Sequence, residues 1–339
     1  MRKALALAAR GGRAVGANPQ VGCLLVRGGK IVGRGWHKRF GGPHAEPMAL
    51  AAAGKQPRGA NAYLTIDPCC GHRGKKTPPC APALVAAGVA RVVAAVLDPN
   101  PAVAGGGLRL LRRAGVKVST GILAAEGLEL NKGFFARMKL GRPHVLLKTA
   151  LSLDGRAAAE GGRSRWVTGK PSRSLVHRLR AQVDAVLVGV GTVLADDPAL
   201  TSHGAGPDPL RVVLDRRLRT PKDAKLLKGG ATLIFTAAKG RRAGAETLRF
   251  PAGRRGLELK PVLKELARRG IGTLLVEGGP TVHASFLRER LVDEAFVFLA
   301  PKLLAGSRDP NKAPRLKTPR LRRVGDDWLV SGRVSCSPA

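Results

Sequence analysis

Apolar and polar positions along the chain change period in a regular alternation. Residues 2–10 have helical composition. Val21–Val26 and Lys30–Trp36 carry strand-type runs joined through Gly28-Gly29, which predicts a hairpin. His44–Ala53 reads as a helix opening just after Pro43, Ala62–Ile66 as a strand and Pro79–Ala87 as a helix. Ala90–Leu97 is an apolar strand ending in the turn Asp98-Pro99-Asn100-Pro101. Gly107–Ala114, Val116–Thr120 and Ala124–Met138 then give helix, strand and helix. Such βα alternation predicts a mostly parallel sheet covered by helices.

The pattern restarts after Gly141-Arg142-Pro143, which divides the chain into domains at 1–143 and 144–339. Strands are predicted at Val145–Ala150, Ala185–Val190, Leu210–Leu214, Thr232–Thr236, Gly272–Val276, Ala295–Ala300 and Trp328–Val334. Helices are predicted at Pro171–Val183, Leu259–Arg269 and Thr281–Glu289. The Arg- and Gly-rich stretch Lys239–Gly256 reads as a surface loop, and no repeat of 20–50 residues recurs.

Composition narrows the class. With 339 residues, 44% of them hydrophobic, two domains can each bury a core, and the composition argues against disorder. No apolar run reaches the roughly 18 residues of a membrane helix, so no membrane partner is expected. Arg10 and Arg13 interrupt the short apolar run Ala4–Ala9, so the N-terminus reads as an amphipathic first helix rather than a secretory signal. Cysteines stand at 23, 69, 70, 80 and 336. Their odd number and one adjacent pair fit a reducing compartment, hence a cytoplasmic protein, better than a disulfide framework.

The net charge of +36 is spread evenly: 23 basic against 5 acidic residues in 1–143, and 36 against 18 in the remainder. Such a field attracts phosphorylated ligands and binds RNA non-specifically. One Tyr, eight Phe and no interleaving of basic with aromatic positions argue against a dedicated single-strand surface. No specific nucleic-acid partner is expected.

Chemistry concentrates in two segments of the first half. Pro43-His44-Ala45-Glu46 opens a predicted helix, and Asp67–Cys80 joins a strand to the next helix. His44, Cys69 and Cys80 can supply three ligands to one Zn²⁺, leaving a fourth position for water, as in a catalytic site. Glu46 can move protons without touching the metal. His72 is a competing ligand in the same loop, whereas Cys70 is expected to point elsewhere. Nucleobase deaminases commonly space the two cysteines as Cys-x-x-Cys; here ten residues separate them.

That long spacing, with Thr77-Pro78-Pro79-Cys80 at its end, resembles the deaminase domain of the bifunctional deaminase/reductase family of riboflavin biosynthesis. Asn18-Pro19-Gln20-Val21-Gly22, His37, Ala87-Gly88-Val89 and Asp98-Pro99-Asn100-Pro101 agree with it. In the second half, Lys148–Gly155, Ser164–Gly169, His177–Arg180, Gly189–Val193, Leu194–Thr201 and Val276–Pro280 are similar to the reductase domain of the same family, in the family's order. The resemblance implies an α/β chain: a cytidine-deaminase-like three-layer α/β/α domain followed by a dihydrofolate-reductase-like α/β domain.

It also implies two reactions. The first domain would deaminate 2,5-diamino-6-ribosylamino-4(3H)-pyrimidinone 5′-phosphate with one zinc per chain and Glu46 as proton carrier. The second would reduce the ribosyl group to ribityl with NADPH. Ala150, Trp166, Thr192, Asp196 and the run Gly279, Pro280, Thr281, Val282, His283, Ala284, Ser285 would contact the dinucleotide. Ser164, Arg180, Leu200, His203 and Glu277 would contact substrate, with Lys148 nearby. The partner is a small phosphorylated pyrimidine, and the assembly a homo-oligomer.

The residues alone support a nucleotide site less specifically. Gly189 and Gly191 lack the third glycine of a dinucleotide fingerprint, because Leu194 stands there. Gly278-Gly279-Pro280 follows an apolar strand and opens a helix, an arrangement suited to phosphate. Three departures from the family pattern stand out: Asp67 replaces a Glu, the 67–80 loop is about two residues longer, and His203 replaces an Arg. The altered loop and His203 keep open a family member with a silent deaminase site, and the charge of +36 a nucleic-acid deaminase.

Overall fold

Gly28 and Gly29 have φ of 54° and 75°. A two-residue turn of the mirror-image type needs that left-handed backbone at both positions, because its twist then matches the flanking strands. The turn joins β1 (Gly22–Arg27) to β2 (Lys30–Trp36) in antiparallel register. The computed structural model describes residues 1–71, 78–100, 103–162, 166–254, 256–324 and 327–334. Two compact units divide the chain: Met1–His144 with Lys260–Thr273, and Val145–Leu259 with Leu274–Ala339.

In the first unit the sheet order is β2-β1-β3-β4-β5, with β3 at Asn61–Ile66, β4 at Arg91–Val96 and β5 at Lys117–Thr120. β3, β4 and β5 run parallel, but β1 is antiparallel to both its neighbours. The sheet is therefore mixed rather than mostly parallel, since the opening hairpin inserts β1 beside β3. Helices α1 (Arg2–Ala9) and α2 (Ala45–Ala53) take opposite faces. A Cβ on Gly22 would strike the α1 backbone, and one on Gly35 the α2 backbone. Cys23 pairs with Gly35, so Cys23 faces α2 and its neighbour Gly22 the other side. These glycines let the helix backbones lie against the sheet, completing a three-layer α/β/α unit. Leu25, Leu64, Leu84, Val92 and Leu111 form its core; truncating one such Leu to Ala costs about 2–5 kcal/mol.

Helix α3 spans Cys80–Ala86 and α4 spans Gly106–Arg113. The single helix predicted over Ala124–Met138 is two, α5 (Ala124–Leu130) and α6 (Lys132–Leu140). Asn131 separates them with φ −114°. Its side chain is engaged elsewhere: Oδ1 accepts from Gln20 N–H at 2.7 Å and Nδ2 donates to Gln20 O at 3.0 Å. A tertiary contact thus overrides local helical continuity.

The second unit carries a seven-stranded sheet, order β10-β9-β8-β7-β13-β6-β14. Its strands are β6 (His144–Ser152), β7 (Ala185–Gly189), β8 (Leu210–Leu214), β9 (Thr232–Thr236), β10 (Glu246–Arg249), β13 (Thr273–Val276) and β14 (Glu294–Ala300). The pairings β10–β9, β9–β8, β8–β7, β7–β13 and β6–β14 are parallel. Every residue of β7 and β9 is buried, as expected where both faces of a sheet are covered. Helices α7 (Lys170–Gln182), α8 (Val190–Asp196) and α10 (Pro280–Arg288) belong to this unit, whereas α9 (Leu259–Arg268) falls, from Lys260 on, in the first.

Lys239–Gly256, read as a surface loop, contains β10 and opens a two-stranded hairpin, β11 (Ala252–Gly253) with β12 (Gly256–Leu257). β10 is a polar edge strand, so no apolar alternation announces it. A ribbon of β15 (Leu316–Val324) and β16 (Asp327–Val334) follows β14. Only its second strand was foreseen, because β15 is almost wholly exposed and rich in Arg.

Candidate active sites

In the first unit, the chain enters α2 at His44, the residue preceding the helix. The β3 strand delivers Asp67 and Cys69, and Cys80 opens α3. His44 Nδ1 lies 3.7 Å from Cys69 Sγ and 3.4 Å from Cys80 Sγ, and the three ligand atoms all lie within 4.8 Å of one another. Tetrahedral zinc with Zn–S of about 2.3 Å and Zn–N of about 2.0 Å spaces its N and S ligands by about 3.5 Å. The donors therefore fit that ion in type and in spacing. The Cys80 main-chain N–H also points at Cys69 Sγ, 3.4 Å away, which favours a thiolate there.

Glu46 sits in the first turn of α2 and is only 3% exposed. Its Oε2 is buried with no hydrogen-bond partner among the described residues. Burial, and then the Cys69 sulfur, push the carboxyl above its ordinary pKa. A buried acceptor beside a three-ligand cluster is what a bound water would satisfy.

Asp67 is buried, accepting from the Asp98 N–H at 2.5 Å and the Gly105 N–H at 2.8 Å. The shorter acid thus ties the 98–105 turn to the strand end that presents Cys69. Cys70 Sγ hydrogen-bonds the Gly71 carbonyl and lies outside the cluster of ligand atoms. His72 lies outside the described residues. Sequence reading did not place His37 at the site. Its ring meets that of His44 edge-on with centroids 5.7 Å apart, Nδ1 lies 2.9 Å from Pro43 O, and Nε2 lies 3.0 Å from Asn18 Nδ2. A carbonyl only accepts and an amide NH₂ only donates. His37 is therefore neutral with its proton on Nδ1, and its near-complete burial lowers its pKa accordingly.

In the second unit, β7 and β13 are adjacent parallel strands whose C-terminal ends lead into α8 and α10, the usual ligand position in such sheets. Gly279 precedes α10 with φ 72°, a conformation a side chain would strain. A Cβ on Gly278 would press on Val188 of β7, and Thr192 Oγ1 of α8 lies beside both glycines. Thr192 and the Gly279 turn are thus brought together, with Pro280 in the first turn of α10 and the side chains of Thr281 and Ala284 exposed. Asp196 ends α8, and Ala150 lies on β6 opposite Phe298. Val282 is half-buried against Gly189, and Ser285 Oγ donates to Thr281 O. His283 is half-buried, and its Nε2 has no hydrogen-bond partner among the described residues.

Beside them, Arg180 of α7 grips Glu277 through Nε–Oε1 at 2.6 Å and Nη2–Oε2 at 2.9 Å, and its Nη1 donates to Thr201 O at 3.0 Å. Lys148 Nζ is 4.0 Å from Glu277 Oε2. Burial alone would raise the Glu277 carboxyl, but Arg180, with Lys148 and His177, brings it below the ordinary carboxylate range. Leu200 has φ 55° and His203 φ 51°, left-handed backbone that is costly for Leu. The Leu200 side chain is buried in the core, so only its backbone can face a ligand. Ser164 lies outside the described residues.

Trp166 is exposed on one face, while the Arg173 guanidinium covers its ring at 4.3 Å. Its carbonyl accepts from Lys302 Nζ at 2.8 Å, and that buried ammonium also reaches Pro310 O. No local signal could have linked Lys302 to a residue 136 positions away.

These features define a class: a zinc deaminase domain followed by a nucleotide-dependent reductase domain on one chain. Residues 1–96 match the model for the cytidine and deoxycytidylate deaminase zinc-binding region, and residues 143–330 that for the RibD C-terminal domain. The chain is 42% identical over 355 residues to riboflavin biosynthesis protein RibD of Escherichia coli strain K12, covering 96% of each. To that of Aquifex aeolicus it is 40% identical, covering 97% of this chain and 96% of the relative. Among solved structures, Acinetobacter baumannii RibD matches with a TM-score of 0.81 at 37% identity, covering 98% of this chain and 97% of that one. A Thermotoga maritima diaminohydroxyphosphoribosylaminopyrimidine deaminase/5-amino-6-(5-phosphoribosylamino)uracil reductase gives 0.82 at 35%, covering 97% and 96%. The chain belongs to the RibD family.

Proposed function

We propose that this chain performs two consecutive steps of riboflavin biosynthesis, with residues 1–143 as the deaminase and 144–339 as the reductase. His44, Cys69 and Cys80 hold zinc, which when bound lowers the pKa of water enough to make a nucleophile at neutral pH. Glu46 Oε2 would take the two protons of the attacking water in turn, passing the first to the ring nitrogen and the second to the amino group that leaves the diaminopyrimidine phosphate as ammonia. The neutral His37, held by Asn18 and Pro43, walls the site beside His44 without competing for that proton.

In the second unit NADPH supplies the hydride that converts the ribosyl to the ribityl side chain. Ala150, Trp166, Thr192, Asp196 and the Gly279–Ser285 turn would hold the dinucleotide, and the N–H groups at the start of α10 would suit a phosphate. Arg180, Glu277, Lys148, Leu200, His203 and Ser164 position the phosphorylated substrate.

The observation that carries this reading is the three-ligand cluster beside an orphaned buried carboxylate oxygen. Replacing Cys80→Ser tests it. Zinc content and ammonia release should both fall to background, while NADPH oxidation with the already deaminated substrate persists. Retained zinc, or ammonia release without zinc, would refute it.

No described helix is long and apolar enough to cross a membrane. Cys23, Cys69, Cys70 and Cys80 form no disulfide among the described residues, which supports a cytoplasmic location. A homo-oligomer is supported by Leu321 and Trp328, each 62% exposed on the β15–β16 ribbon, because an isolated two-stranded ribbon is marginal without a partner.

A further inference from the structure

His177 and His203 come from distant parts of the sequence, yet their rings stack with centroids 4.2 Å apart and planes inclined by 29°. His177 lies one turn before Arg180 on the same face of α7. His203 presents its ring from left-handed backbone, which His adopts more readily than most residues. It also occupies the position where the family resemblance leads one to expect Arg.

The surrounding charges define what the pair can add. Arg173 and Arg180 face His177 from α7, Glu277 faces it from the end of β13, and Asp208 faces His203 from its own loop. Arg180 is committed to Glu277, so Arg180, Lys148 and Glu277 together carry one net positive charge. A phosphate monoester brings about −1.5 to −2 at neutral pH. One further positive charge is needed to balance it. Two stacked imidazolium rings repel each other, so the pair accommodates one added proton, not two. Without a bound anion, burial and then the His203 ring and Arg180 hold the His177 imidazole below its ordinary range.

We propose that His177 and His203 act as one phosphate-binding unit of the reductase half, taking up a single proton when the phosphorylated substrate binds. The proposal rests on the reading of that half as the reductase. His177 is then a substrate-binding residue whose contribution to affinity is proton-linked.

The experiment uses the full-length, zinc-loaded enzyme and follows NADPH oxidation with the deaminated substrate between about pH 6.5 and 8.5. One-proton linkage predicts that KM for the phosphorylated substrate rises about tenfold from pH 7 to 8. KM for NADPH and for the dephosphorylated substrate should show no such slope. His203→Arg should flatten the dependence and lower KM at high pH. His177→Phe, which keeps a ring in the stack, should flatten it at the high-pH value. A flat wild-type profile, or a slope that survives in both variants, would overturn the proton-linked pair. Should the dephosphorylated substrate bind as tightly as the phosphorylated one in every variant, the phosphate-site reading itself fails.

Discussion

Removing either partner of the Arg180–Glu277 pair should be expensive, and unequally so. The Arg180 and Glu277 side chains are 12% and 6% exposed, and two short hydrogen bonds join them. Breaking a buried pair by deleting one charge typically costs about 3–5 kcal/mol, because the other is left uncompensated. With Arg180→Met, Lys148 still stands 4.0 Å from the orphaned carboxylate, so the loss belongs near the low end, about 3 kcal/mol. With Glu277→Gln, Arg180 and Lys148 face each other without an anion, so the loss belongs near about 5 kcal/mol. The double replacement leaves only Lys148 and should cost at least about 1 kcal/mol less than the sum of the singles. Urea unfolding followed by circular dichroism gives all three values. The direction of the Glu277 shift adds a pH test. Its folded pKa is depressed, so the stability it contributes is present above the unfolded carboxylate range and is lost as pH falls through the folded value. Additive single losses, or a Glu277→Gln variant more stable than Arg180→Met, would refute this account of the pair.

Further outcomes follow from single side chains. Glu46→Gln should lower deamination about 10²–10⁴-fold while zinc content stays at one per chain, as read by metal analysis beside ammonia release; loss of the metal would assign Glu46 a structural role. Asp154 receives the Leu304 and Ala305 N–H groups. Burial opposes its charge, yet hydrogen bonds from Ser152 and these amides hold the carboxyl at about 2. Asp154→Asn should therefore lower the melting temperature at neutral pH. The gap from wild type should close as pH falls through about 2, and a pH-independent gap would contradict this. Lys302→Met should loosen the Trp166 carbonyl and raise KM for NADPH with little effect on ammonia release; equal losses in both activities would mean that Lys302 only stabilises the fold.

Much of this was legible in the sequence because chemistry and local pattern coincide. Gly28-Gly29 announces a hairpin, and His44 with Glu46 opens a helix immediately after Pro43. Cys80 begins the next helix, so the metal-ligand candidates fall at element ends that fold predictably. What was not legible depends on distant partners. Asn131 ends α5 because Gln20, 111 positions away, takes its side chain. The antiparallel β1–β3 pairing is set by packing that no period encodes. β10 is a short polar edge strand and β15 an exposed, Arg-rich one, and neither shows apolar alternation. The His177–His203 stack forms where Leu200 and His203 adopt left-handed backbone in the turn after α8, and a Leu at 200 does not announce that conformation.

The measurement that tests the central claim most directly is zinc content together with ammonia release from the diaminopyrimidine phosphate, with and without NADPH. Two linked activities in fixed order predict one zinc per chain, ammonia release without NADPH, and NADPH oxidation only after deamination. Bound zinc without ammonia release, or NADPH oxidation before any ammonia appears, would contradict it.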